Sequence, residues 1–360
     1  MKVYGISVSY YTGKLETYLR YKGIPYHLES PYADAARIRE RAGALQVPLV
    51  LRDDGRWMSD STPIIQHFET EYSHPPVMPE DPTVRFIALL MEDYADEWLW
   101  RAAMHFRWSY EHDRALLSRI LVDEVGRHVR APRFLKLRRI AARQHTGFVR
   151  KDGVNAQTRD HVEAGYRSAL ANMTTLLAER PFLLGGAPSI ADFGLMGPML
   201  RHFGQDPTPA EIMRNEAPAV YEWVARMWNV RAGPGDPLFV SEVPDAAGPM
   251  LREIAETHLV QLARNAEAFE RSESHFDMDV QGCRYRRLPV SRYRVYCLER
   301  LREGFALLPD RDRHKVRELL PDPQAAVLWE GVPTARSGYD EARQAPFNKA
   351  INVFGDGVPR

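Results

Sequence analysis

Between Ser7 and Thr12 the chain reads SVSYYT, five hydroxyl side chains in six residues. They follow a short apolar run and precede an amphipathic stretch, where a strand gives way to a helix. A hydroxyl there can donate to a group held at the helix N-terminus, where the dipole also favours negative charge. The competing reading for Tyr10 and Tyr11 is packing, with the ring inside and the hydroxyl wet. A second chemical feature is Val47-Pro48. Proline cannot donate to a sheet ladder, so at a strand entrance it marks either an edge or a cis bond. In the cis form the Val47 main chain turns outward and can pair with a peptide ligand like an added strand. The third feature is SDSTPII at 59–65. Four polar residues before an apolar run, with Pro63 in the first turn, announce a helix N-terminus. Its free N–H groups suit a carboxylate. The Ser61 hydroxyl adds a donor, and the Asp60 carboxylate is an acceptor for an ammonium group. Ordinary capping by the same residues needs no ligand.

Periodicity supplies the elements that must position these residues. Residues 2–8 read as a short buried strand. Leu15, Tyr18 and Leu19 give one apolar face to a helix over 13–22, with the Lys22 stem along that face and Gly23 closing it. Residues 25–29 read as a second strand, and 31–43 as a polar loop with a short helix. Pro48–Arg52 and Arg56–Ser59 form a hairpin around Asp53-Asp54-Gly55, and a helix starts near Ser61. The order is β-α-β-α-β-β-α. From Thr83 to Trp228 the period is helical, and the breakers RAGPGDP (231–237) end it. Beyond them stand a helix over 246–270, a hairpin over 276–289, and a helix over 291–307 whose continuation past Pro309 stays open. A Pro/Gly-rich tail follows.

The 360 residues are too many for one simple core, so two or three domains are expected. Lys+Arg and Asp+Glu are 48 each, which gives no electrostatic reason to expect nucleic acid or an acidic membrane surface. No apolar run approaches the length of a membrane span. The start, MKVYGISV, lacks the apolar core of a signal peptide, so a cytoplasmic protein is expected. The two cysteines, Cys283 and Cys297, exclude a disulfide framework, and a zinc site would need other ligands.

Val47-Pro48 and Asp60-Ser61, combined with the opening β-α-β, resemble the glutathione S-transferase superfamily. A third match, in the right order and at the right separation, is FLLGGAPSIADFGL (182–195), where Ser189 and Asp192 have the spacing of a capping box. Close resemblance covers about residues 1–230. LMEDYADEWLWRAAMHFRW (90–108) and the long tail look like bacterial members with extended C-termini. The resemblance implies an α/β thioredoxin-like N-terminal domain plus an all-α glutathione-transferase C-terminal domain, with an additional mixed C-terminal extension. The expected boundaries are 1–80, 81–235 and 236–360. It implies glutathione as co-substrate, held by Gln46, Val47, Pro48, Asp60 and Ser61, with no metal. It also implies a hydroxyl after the first strand that donates to the glutathione sulfur. A free thiol has pKa about 8.5, and only the thiolate is the nucleophile. Counting back from Gly23, the serine of serine-type members falls at Ser9, with Tyr10 and Tyr11 as rivals. Ser7 is expected on the strand, pointing elsewhere. The absence of cysteine from residues 1–282 counts against cysteine-type reductases.

A second-substrate pocket is expected between the domains, with Tyr10, His105 and Trp108 in its wall and Trp98, Trp100, Phe106, Arg107 and Tyr110 as further candidates. The competing reading is a packed helical core, with His105 satisfied inside it. Glu92, Asp93, Asp96 and Glu97 read as a solvated, ion-paired helix face rather than metal ligands. The basic run 127–151 lacks aromatic interleaving and reads as another solvated face. The cysteines read as buried thiols. The first functional reading is therefore an enzyme that binds reduced glutathione, activates its thiol and directs it at an electrophilic, mostly apolar small molecule, as a homodimer. The alternative is a binding or scaffold protein that keeps the fold without turnover.

Overall fold

Tyr4, Leu49 and Ser59 lie in one row across a four-stranded sheet. The row is set by strands β1 (Lys2–Tyr4), β2 (His27–Glu29), β3 (Leu49–Leu51) and β4 (Trp57–Ser59), in the order β2-β1-β3-β4. β1 is parallel to β2, while β3 is antiparallel to both β1 and β4. The register pairs Tyr4 with Leu49 and Leu49 with Ser59. The computed structural model describes residues 1–43, 45–127, 129–233, 235, 238–330 and 336–349. The end of the expected Pro/Gly-rich tail, residues 350–360, and part of the breaker cluster at 231–237 lie outside them.

β1 ends at Tyr4 rather than running to residue 8: the Gly5 N–H still pairs with the Glu29 carbonyl at 2.9 Å, and a turn closed by the Ser9 N–H on the Ile6 carbonyl then leads onto α1 (Tyr10–Tyr21). A Cβ on Gly5 would meet the Thr12 methyl at 2.5 Å, so only glycine allows this approach. Ser7 lies in that turn, not on the strand, and its N–H donates to a Glu124 carboxylate oxygen at 3.1 Å. α2 (Ala35–Ala42) and α3 (Ser61–Glu71) complete this part of the chain. The fold is thioredoxin-like here and helical beyond it.

The helical part comprises α4 (Pro82–Glu97), α5 (Leu99–Ser109), α6 (Glu111–Val125), α7 (Arg133–Gln144), α8 (Arg159–Leu177), α9 (Ile190–Pro198), α10 (Pro207–Glu216) and α11 (Pro218–Asn229). Asp81 caps α4 by accepting from the Val84 N–H at 2.9 Å, with Pro82 preset for the first turn. α9 is buried along its whole length and packs on both α1 and α4. Glycines permit this approach: a Cβ on Gly194 would meet the Glu92 main chain at 2.7 Å, and one on Gly197 the Tyr10 ring at 2.8 Å. At the start of α9, Asp192 accepts from the Ser189 N–H at 2.9 Å, the Leu183 N–H at 3.0 Å and Trp223 Nε1 at 3.2 Å. α7 has no buried residue.

The C-terminal extension contains α12 (Gly248–Glu253), a π-helical turn, α13 (Val260–Glu270), the hairpin β5 (His275–Val280) and β6 (Cys283–Pro289), α14 (Arg292–Ala306) and α15 (Asp310–Leu319). α14 stops at Ala306, and α15 is a separate helix after Pro309. The hairpin shows the alternation that half-buried strands require, with Phe276, Met278 and Val280 inward.

The acids of α4 overturn the solvated-face expectation. Glu92, Asp96 and Glu97 are 3%, 7% and 9% exposed. Glu92 and Asp96, one turn apart, close on Lys14 of α1, with Asp96 Oδ2 at 2.5 Å from its Nζ. Burial works against the charge of Lys14, but the facing Asp96 and Glu92 outweigh it and raise the ammonium above its ordinary value. One residue round the helix, Asp93 meets His258 at 2.6 Å and Glu97 meets Arg294 at 3.1 Å. Their partners come from the opening helix and from the extension, and local periodicity carries no signal for such distant pairs. We predict that Lys14→Met, which strands two buried carboxylates, lowers unfolding free energy by about 3–5 kcal/mol. Urea denaturation measures this, and a loss below about 1 kcal/mol would show that the carboxylates reach another partner or water.

Candidate functional site

The register places three chemical features at one end of the sheet. The turn that carries Ser9 follows Tyr4, Val47-Pro48 precedes Leu49, and Asp60-Ser61 follows Ser59. Ser9 caps α1, with its Oγ accepting the Thr12 N–H at 3.4 Å, and this leaves the hydroxyl proton as a donor. α5 steadies this turn: Arg107 donates to the Val8 carbonyl at 2.7 Å and pairs with Asp206 at 2.7 and 2.9 Å.

Val47-Pro48 is cis, and the Val47 main chain makes no main-chain hydrogen bond among the described residues. Gln46 and Val47 are half-buried and Pro48 is buried. Asp60 stands at φ 73°, ψ 116°, an uncommon conformation for a residue with a Cβ, costing on the order of 1–3 kcal/mol. Its side chain does not cap α3, so the first N–H groups of that helix keep their donor capacity. Ser61 is 4% exposed. Thr62, next to it, accepts from Lys14 Nζ at 2.8 Å and donates to Glu92. The buried charge cluster thus also fixes the first turn of α3.

The tyrosines are committed elsewhere. The Tyr10 hydroxyl donates to the Ala95 carbonyl, and its ring packs on Trp100 and His202 at 5.5 and 5.3 Å. The Tyr11 hydroxyl donates to the Asp96 carbonyl at 2.9 Å. Burial, reinforced by the nearby Asp96 and Glu97 carboxylates, pushes both phenols well above their ordinary value. His105 is 4% exposed, with Nε2 2.9 Å from Glu163 and Nδ1 2.9 Å from the Ser109 hydroxyl. Trp108 is 2% exposed. Both lie in the packed interior of the helical part. A groove of about 620 Å³ lined by Glu256, Asp279, Gln281 and Asp322 lies wholly within the extension.

Sequence reasoning missed what meets Asp60. Tyr293 of α14 donates to Asp60 Oδ2 at 2.9 Å, and Tyr339 reaches the same oxygen at 3.4 Å. The Ser59 N–H, on the outer edge of the sheet, donates to the Pro346 carbonyl at 2.9 Å. Burial pushes the Asp60 carboxyl up to about 6, against the two phenol donors and Lys14. Cys297 is buried and its thiol is pushed well up by that burial, so it does not supply a thiolate. Among the described residues no group of His, Cys, Asp and Glu could hold a metal ion, and no helix is long and apolar enough to cross a membrane.

Two family models agree with this architecture. Residues 3–76 match the family described as Glutathione S-transferase, N-terminal domain, and residues 156–226 match Glutathione S-transferase, C-terminal domain. Similar solved structures include a beta-etherase from Sphingobium sp. strain SYK-6, at 17% identity over 63% of this chain and 93% of that one, with a TM-score of 0.44. A glutathione S-transferase from Methylobacterium radiotolerans, in complex with glutathione sulfonate, is 19% identical over 66% and 98%, with a TM-score of 0.41. A maleylpyruvate isomerase from Pseudomonas aeruginosa is 18% identical over 63% and 90%, with a TM-score of 0.35. No curated protein matches the chain.

The Asp60 carboxyl yields a prediction with a definite sign. Its folded value is raised above the unfolded one, so the folded state binds more protons between them. The stability this contributes is complete below about pH 4 and is lost as pH rises through about 6. The Asp60→Asn chain should therefore gain stability relative to wild type between about pH 4 and pH 7. Thermal unfolding of both chains across that range measures the difference, and a constant difference would place the Asp60 carboxyl at its ordinary value.

Proposed function

Because this chain belongs to the glutathione S-transferase superfamily, we propose that it binds reduced glutathione at the row end of the sheet and presents the thiol to an electrophilic, mostly apolar small molecule. The observation that carries this reading is the register, which gathers Ser9, Val47-Pro48 and Asp60-Ser61 at one end of the sheet. Each residue offers the chemistry that one part of the ligand needs. Val47 offers main-chain donor and acceptor groups to the central peptide of glutathione. The first N–H groups of α3 and the Ser61 hydroxyl suit the glutamyl carboxylate. The Asp60 carboxylate suits the ammonium group. Gln46 is assigned to the glycine end on family grounds. Ser9, half-buried with a free hydroxyl proton, donates to sulfur and favours its ionised form. When bound, glutathione supplies the nucleophilic thiolate. Tyr10 and Tyr11 are less suited, since their protons are already given to carbonyls of α4.

Family membership also supports a homodimer in which the N-terminal domain of one chain meets the helical domain of the other. A monomer mass by light scattering would remove that part of the proposal. The second reading, binding without turnover, draws on the packing of Tyr10, His105 and Trp108, which leaves those side chains little surface to offer a second substrate.

At saturating glutathione, the bound thiol of the wild-type protein should ionise below about pH 8.5, followed by thiolate absorbance. Ser9→Ala should bind but move that ionisation back toward the free value. Tyr10→Phe should leave it unchanged and lower stability by about 1 kcal/mol. Equal ionisation in wild type and Ser9→Ala would remove Ser9 as the donor. Normal thiol ionisation without turnover of any electrophile would favour the binding protein.

A further inference from the structure

Building on the glutathione reading, we propose that residues 336–349 form a strap that competes with glutathione for the Asp60 end of the site, so that ligand binding and strap release are coupled. The strap occupies ligand-facing groups. Tyr339 and Tyr293, both from the extension, donate to the Asp60 oxygen on which the ammonium reading depends. Pro346 takes the Ser59 N–H as an added edge residue would, and the Asn348 carbonyl accepts from the Ser59 hydroxyl at 3.4 Å. Phe347 sits edge-on to His67 of α3 at 4.9 Å, with the Arg56 guanidinium 4.5 Å from its ring.

The two ends of the strap are held differently. At α14, Glu299 accepts from the Ser337 N–H and hydroxyl, each at 2.6 Å. Arg292 donates to the Ser337 and Gly338 carbonyls. Gly338 turns the chain at φ 63°, where a Cβ would meet the Arg292 guanidinium at 2.5 Å. These bonds are charge-assisted. Over the sheet the strap's own polar contacts are longer or fewer: the Tyr339 hydroxyl reaches Asp60 at 3.4 Å, the Asn348 carbonyl the Ser59 hydroxyl at 3.4 Å, and Pro346 makes one main-chain bond. A ligand ammonium brings a full positive charge to the Asp60 carboxylate where Tyr339 brings only a neutral donor, so it can displace that phenol. The strap can then lift from β4 and α3 while its α14 end stays tethered. Affinity falls by the fraction of time the site is open, so a strap closed for 90–99% of the time weakens binding about ten- to a hundred-fold.

The test is calorimetric titration of reduced glutathione into three proteins: wild type, Tyr293→Phe/Tyr339→Phe, and a chain ended after Arg336. The double substitution keeps the aromatic packing and removes only the donors to Asp60, so it serves if the shortened chain fails to fold. Both altered chains should bind at least about ten-fold more tightly than wild type. Equal affinity in all three would overturn the strap and leave the glutathione reading standing. Weaker binding in folded variants would also overturn it, because the strap would then be part of the site. No binding by any of the three would remove the glutathione reading, and the strap proposal with it.

Discussion

Four carboxylates on α4 hold together three parts of the chain that are far apart in sequence. Glu92 and Asp96 face Lys14 of the opening helix. Asp93 and Glu97, displaced by one residue, face His258 and Arg294 of the extension. A buried charge without its partner costs several kcal/mol, so each of these contacts constrains where its element can sit. The same cluster reaches Thr62 and fixes the first turn of α3. Arg294 continues the network to Asp152, which also holds Arg101, and Arg101 meets Gln261 at 2.6 Å. The extension is therefore tied into the helical part by ionic contacts as well as by apolar packing.

This arrangement shapes the candidate site. A thioredoxin-like sheet gathers the residues at its end by register alone, but what stands over them is decided by the extension. α14 brings Tyr293 to Asp60 and anchors the segment that carries Tyr339 and Pro346 to the sheet edge. The edge strand β4 would otherwise present unpaired main-chain groups. Ser9 is steadied from another direction, by Arg107 on the neighbouring Val8 carbonyl. The helical part thus positions the Ser9 end of the row, and the extension covers the Asp60 end.

What was legible in the sequence follows the range of the physics. The β-α-β-α-β-β-α order, the helix start at Ser61 and the Ser189–Asp192 cap depend on a few neighbouring residues, so local pattern carries them, whereas local pattern left the Val47-Pro48 bond open between an edge proline and the cis form observed. Strand length was overstated at residues 5–8, because the demand for glycine at position 5 comes from Thr12 packing against it. The acids of α4 read as a solvated, ion-paired face because a run of acids among helix formers usually faces water. Lys14, His258 and Arg294 reach them only after folding. Tyr293 and Tyr339 were invisible as site residues for the same reason, lying 233 and 279 positions from Asp60. An acid-rich helix flanked by tryptophans was a usable hint of burial, but not of its partners.

The central claim is that the extension and the glutathione-transferase fold form one cooperative body joined through α4. Native-state hydrogen exchange tests it most directly, comparing slow amides in β3, α4 and α14, such as those of Val50, Met91 and Leu298. The account predicts that all three groups exchange through openings of the same free energy, close to that of global unfolding. Exchange of the α14 amides through an opening several kcal/mol lower, while β3 and α4 stay protected, would contradict it and make the extension a separately unfolding appendage.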